Sequence, residues 1–368
     1  MKYLLITLIF YSGSILADYS KPKLLARFSN LDSFKAPMGL FCYSSDPLVS
    51  DSGVFLSCKD QSGQSVLVRY RSEFEILATS KDHLFSRPIE VNSVVSWYEF
   101  NELHVNQVYE FRSEKLEQKK LKNLGPLTAM VDSFLPKKGG AFIYRLQDET
   151  KDLYEWKNET VTPLFTEKSA HLFPPVVNDF GEFIFKRRKN NLSENAPDEL
   201  ILWDGSFQTI LRDQEADPHS TIKSFRHQCS FDQKAVALVV TDQLSEVLVI
   251  IENGKLTPVA RVGEQVKSFD YFSPKLKNGI LAFRGNDLEG RKTLWVFENG
   301  HLKRLLTQGD VIHTDKGLAR VDYNNQDALF FSSPGISKNG DIFFQVALTD
   351  LESPRTLLGI GLIELKRE

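Results

Sequence analysis

The chain is poor in the residue spacings on which much enzyme chemistry is built. It holds three cysteines, Cys42, Cys58 and Cys229, and no Cys-x-x-Cys pair, so a zinc site made of thiolates is unsupported. Its seven histidines are scattered, and no His-Glu-x-x-His occurs, which excludes a zincin by spacing. A Gly-x-Ser-x-Gly elbow, a P-loop and a dinucleotide fingerprint are all missing, and nothing in the chain calls for a cofactor. Excess positive charge is missing too. Lys and Arg total 45 against 48 Asp and Glu, a net of −3, which argues against bulk electrostatic binding to nucleic acid. No window carries a sustained helical period with caps. Beyond the first residues no long apolar run is found, so no membrane span is expected in the mature chain.

The first residues, MKYLLITLIFYSGSILA, combine Lys2, an apolar core from Leu4 to Tyr11 and the small Ala17. This pattern reads as a secretory signal peptide over residues 1–17, too short for a comfortable span. It leaves 18–368 as one domain, in the periplasm or outside the cell. In an exported protein an odd cysteine count leaves at least one thiol unpaired. Cys42 and Cys58 flank the first hairpin and are candidates for a disulfide. A hairpin centred near Ser50 to Ser52 would nevertheless bring Cys58 closer to Ser45 than to Cys42. Cys229 reads as a small buried side chain.

The chain does contain a repeat. From Ser273 to Asp310 it reads SPKLKNGILAFRGNDLEGRKTLWVFENGHLKRLLTQGD. Ser273-Pro274 opens a short strand, Asn278-Gly279 is a hairpin turn, and Ile280 to Phe283 is an apolar strand. After a polar turn, Thr293 to Phe297 is a third strand, Asn299-Gly300 a second hairpin turn, and Leu302 to Leu306 a fourth strand. Weaker copies recur along the whole chain. The third strand returns as Val66 to Tyr70, Val108 to Phe111, Leu153 to Trp156, Leu200 to Trp203 and Val247 to Ile251. Pro47, Pro88, Pro175 and Pro334 match Pro274. A strand-only repeat of roughly forty to fifty residues predicts an all-β propeller of four-stranded antiparallel blades. The count is about seven, with six or eight as alternatives. The last copy ends at its third strand, Leu357 to Leu365, while Lys23 to Phe28 (KLLARF) looks like a fourth strand with nothing before it. The N-terminal strand is therefore expected to complete the last blade and pair both free sheet edges.

Candidate binding residues fall outside the strand pattern. His83 (DHLFSRP) and His171 (AHLFPP) each precede a blade's first strand and could share a rim. The stretch from Gln308 to Asp327 is long for a connection and contains Asp310, His313, Arg320 and Tyr323, so it reads as a loop fit for binding. Lys186-Arg187-Arg188-Lys189 reads as the start of a solvated loop. Asp46, Asp51 and Asp132 could face a central channel, although spacing along separate strands does not show that they converge.

The repeat resembles a family of secreted bacterial β-propeller repeat proteins whose phrase runs approximately SPxINxxGxVAFxA. The likeness is carried by SPKLKNGILAFRG, FENGHLKRLLTQGD and SSPGISKNGDIFFQVAL. The resemblance implies a propeller and an exported location, and it transfers no activity and no catalytic residue. Two functions follow as expectations. The first is a noncatalytic binding or scaffold module that recognises a protein, peptide or glycan through loops on one face. The alternative is a metal-assisted hydrolase or lyase at the channel mouth, marked by convergence of His83, His171 or His313 with carboxylates. A component of an envelope assembly is a third reading, marked by a large exposed apolar patch.

Overall fold

A computed structural model describes residues 18–28, 39–42, 46–100, 105–120, 131–137, 140–147, 150–157, 160–167, 170–189, 196–321, 332–353 and 356–368. Residues 1–17, expected to form a signal peptide, and Tyr323 lie outside them. The described residues contain strands and turns and no helix. The strands make seven antiparallel sheets that follow one another in chain order. In the sixth sheet, Lys275–Lys277, Ile280–Asn286, Lys292–Glu298 and His301–Thr307 lie side by side from the axis outward. Asn278 and Asn299 take φ of 50° and 51°, and Gly279 and Gly300 take 77° and 81°. These values are what a two-residue hairpin turn demands.

Neighbouring sheets pack face to face, and apolar clusters fill the interfaces between them among the described residues. Ile280, Leu294 and Leu306 of the sixth sheet meet Ile342, Phe344 and Val346 of the seventh. Leu200 of the fourth meets Phe231, Leu238 and Val249 of the fifth. A sheet sandwiched in this way must be apolar on both sides, which is why Ile342–Asp350 is buried along nearly its whole length.

The ring closes as the repeat count requires. Lys23–Phe28 pairs antiparallel with Leu357–Leu365, with Phe28 opposite Ile360. Gly359 makes room for it. Its φ is +135°, and a Cβ there would run into the carbonyl oxygen of Phe28. Gly335 plays a similar part at the axis, where a Cβ would meet the Pro47 carbonyl oxygen at 2.5 Å.

Two local expectations are corrected, and the candidate disulfide is present. The stretch after Gln308 is a hairpin, Val311–Thr314 with Gly317–Val321, whose second strand pairs with Ile342–Asp350. Asp315 at its tip takes a two-pronged bond from buried Arg27, both contacts at 2.8 Å. The basic run lies inside strand Phe183–Lys189. Lys186 is 5% exposed and paired with Asp198 at 2.6 Å, and Arg187 pairs with Glu167 and Glu199. A cation can sit in a sheet interior only with such a partner. Finally, Cys42 and Cys58 are bonded as a disulfide. The ladder leaves its register after Leu48–Ser50 and resumes with Phe41 opposite Lys59, which sets Cys42 rather than Ser45 across from Cys58. Closing a loop of this size contributes about 3 kcal/mol by restricting the unfolded chain.

Several carboxylates make stability depend on acid. Burial pushes the Glu199 carboxyl up, but hydrogen bonds from Arg187 and Arg212 outweigh it and hold it below the usual range. Burial likewise opposes, and Arg284 and Lys292 overcome, the shift at Asp270. A carboxyl whose folded pKa is lowered stabilises fully above its unfolded value, and that contribution is lost as pH falls through the lowered value. Asp213 and Asp232, raised by burial, act in the opposite sense. Their contribution is present below the unfolded value and lost as pH rises through the raised one. The urea midpoint is therefore expected to fall between about pH 4 and pH 2, below the ordinary carboxylate values. A flat or rising midpoint there would refute this account.

Candidate functional site

Inner strands of six sheets line the axis, so side chains from sheets far apart in sequence meet there. Leu48–Ser50, Ile89–Val91, Val176–Val177, Ser224–Asp232, Lys275–Lys277 and Gly335–Ile336 contribute to one cavity of about 220 Å³. The prolines of the repeat, Pro47, Pro88, Pro274 and Pro334, stand in its wall. Proline suits the start of a strand because no ladder hydrogen bond is lost.

At the rim where these strands begin, Asp46 is held on both sides. Its carboxylate accepts hydrogen bonds from the Ser333 amide at 2.6 Å and from Arg87 Nη1 at 2.7 Å, which ties the seventh, first and second sheets together. The opposite rim is formed by the first hairpin turns. Asp51 pairs there with Lys338. Asp179 pairs with Lys277 at 3.2 Å, and the Asn278 amide donates to Asp232 at 2.7 Å. The middle of the cavity is less well matched. Glu90 has a side chain only 7% exposed, and Lys277 Nζ stands 4.0 Å away, beyond hydrogen-bond reach. Its Oε2 atom has no hydrogen-bond partner. Burial pushes the Glu90 carboxyl up, and the Lys277 ammonium draws it back. Burial pushes the Lys275 ammonium the other way, towards neutrality. Cys229 also lines the cavity, and burial pushes its thiol up to about 12, which favours the thiol over the thiolate.

The residues singled out by sequence do not gather here. His83 Nδ1 lies 2.9 Å from Glu99 Oε1, and the same carboxylate accepts Ser80 Oγ at 2.7 Å and Tyr109 OH at 2.8 Å. His171 sits edge-on to Phe173, with ring centres 4.7 Å apart. Asp310 accepts the Thr307 amide at 2.7 Å and so caps its own turn. His313 and Arg320 belong to the added hairpin of the seventh sheet. None of these residues lines the cavity, and the described residues contain no group of three or more His, Cys, Asp or Glu able to hold a metal ion. Of the three aspartates expected near the channel, Asp46 lines it and Asp51 stands at its turn-side rim. The side chain of Asp132 is outside the described residues. Glu90, Lys275 and Lys277 were missed. They occupy alternate positions of very short strands, and their meeting depends on how the ring closes.

No helix among the described residues is long and apolar enough to cross a membrane. No family model matches the chain, and no curated protein matches it. Solved structures do match. An acylaminoacyl peptidase from Pyrococcus horikoshii aligns over 84% of this chain and 51% of its own, at 12% identity and a TM-score of 0.52. A structure from a study of two prolyl endopeptidases aligns over 94% of this chain and 51% of its own, at 8% identity and a TM-score of 0.51. A structure described as TolB from Agrobacterium tumefaciens aligns over 80% of this chain and 94% of its own, at 10% identity and a TM-score of 0.40. The chain thus spans about half the length of the two peptidases. At these identities the likeness is one of fold, and it is a propeller likeness. The expectation of a noncatalytic binding or scaffold module working through loops on one face is corrected by the two matches above a TM-score of 0.5, whose structures are peptidases.

Proposed function

We propose that this chain serves in peptide breakdown, as a propeller whose axial cavity receives peptide. The observation that carries the reading is the cavity itself. It lies at the axis of a ring that shares its fold with peptidases over 84% and 94% of the chain, and its largely apolar wall carries charged side chains, among them Asp46, Glu90, Lys275 and Lys277. An apolar wall set with charged groups suits a peptide, whose backbone N–H and C=O groups must stay hydrogen-bonded when they leave bulk water. We further infer an exported location, supported by the leader-like first residues and by the Cys42–Cys58 disulfide, since disulfides persist in oxidising compartments.

The test has two arms. A fluorescent octapeptide blocked at both ends should bind the purified full chain. Ser273→Trp, which places a large ring in the cavity wall, should weaken that binding at least tenfold. Removing the protein from its organism should slow turnover of added peptides outside the cytoplasm. No octapeptide binding together with unchanged turnover would overturn the proposal.

A further inference from the structure

The cavity is lined by two side chains of opposite charge that have no close partner of opposite charge among the described residues. One is Glu90, whose side chain is 7% exposed and whose Oε2 has no hydrogen-bond partner. A buried carboxylate oxygen with no donor is costly, and native proteins rarely keep one without a use. The other is Lys275. No carboxylate among the described residues forms an ion pair with it, although Asp46, Asp179 and Asp232 act on it from farther away. Lys277, two residues beyond Lys275 on the same strand, is already engaged by Asp179 at 3.2 Å, so it cannot fully satisfy Glu90. The remaining charges that face Glu90, Lys338 and Asp51, are paired with each other.

We propose that this cavity is a site for a small zwitterion, an α-amino acid or a dipeptide, with its ammonium group on Glu90 and its carboxylate on Lys275. A zwitterion matches both orphan charges at once and adds no net charge to the channel, whereas a simple anion or cation would leave one of them exposed. The space is adequate. A dry cavity of about 150 Å³ accommodates benzene, and this one measures about 220 Å³. The ligand class rests on the reading of the channel as a peptide receiver, because peptide hydrolysis is the reaction class that supplies free amino acids and dipeptides.

The experiment is a calorimetric titration of the full chain with alanylalanine, with its N-acetylated form, with its C-terminal amide, and with the end-blocked octapeptide. Free alanylalanine should bind. Acetylation and amidation should each weaken binding at least tenfold. Glu90→Gln should lower affinity for the free dipeptide and make acetylation indifferent, and Lys275→Met should do the same for amidation. The ligand-side comparison on the unaltered protein stands even if a variant fails to fold. Equal binding of all three dipeptides, or no dipeptide binding at millimolar concentration, would overturn the proposal. Binding of the octapeptide alongside dipeptide failure would sink this inference and leave the peptide reading intact. Dipeptide binding with no octapeptide binding and unchanged peptide turnover would do the reverse.

Discussion

Replacing Phe28 by alanine lowers the stability of the ring by about 3–5 kcal/mol, the usual range for a large aromatic removed from a closed core. The loss is expected to be this large because of where the side chain sits. Phe28 is fully buried. Its ring meets Phe74 edge-on at 5.6 Å, and it packs with Leu56 and Val68 of the first sheet and Ile360 and Leu362 of the last. It therefore fills the seam where the two chain ends are joined without a covalent link. Removing it leaves a cavity that the neighbouring strands, fixed by their own ladders, cannot collapse into. Urea unfolding gives the magnitude, and hydrogen exchange gives the location. Amides of Leu357–Leu365 should lose protection before those of the fifth sheet. Phe180→Ala is the control, since Phe180 is 62% exposed and should cost within about 0.5 kcal/mol. Equal losses for the two variants, or uniform exchange after Phe28→Ala, would show that the seam is not the weak point.

Lys186→Ala is the second large effect, expected to cost about 3–5 kcal/mol. The ammonium group donates to Asp198 and to the Phe225 carbonyl oxygen, both at 2.6 Å. It also lies over the rings of Phe173 and Phe225 at 5.2 and 4.8 Å. Phe225 belongs to the fifth sheet and Asp198 to the fourth, so one cation bridges two blades. Burial pulls the Lys186 ammonium towards neutrality, while Asp198 resists that pull. Truncation leaves a carboxylate 2% exposed, with Arg188 at 2.9 Å as its remaining partner. It also strands a carbonyl oxygen. A double-mutant cycle with Asp198→Asn should show a coupling of about 1–3 kcal/mol. Additive losses would mean that the two side chains act independently and that packing alone explains the cost.

The contrast between these residues shows how far a linear reading reaches. KLLARF was legible as a displaced fourth strand because a strand's buried faces and turn residues are local properties repeated at a fixed interval. The run Lys186 to Lys189 was misread because charge alone looks the same on a solvated loop and in a buried pair. Its partners, Asp198, Glu199 and Glu167, become neighbours only through strand pairing. The hairpin after Gln308 was taken for a binding loop because its two strands are short and lack an Asn-Gly turn. His83 was marked for its position before a strand, and it turned out to serve Glu99 in its own sheet.

What the sequence by itself determined was the blade: turn residues able to take positive φ, apolar strands between them, and a copy split between the two ends of the chain. These are local steric and solvation preferences, and they survive degeneracy because each copy restates them. The tertiary structure alone decided which charges share the axis. Glu90 sits in one repeat and Lys275 and Lys277 together in another, and only the closing of the ring brings them into one low-dielectric cavity, where an unmatched charge becomes a binding group.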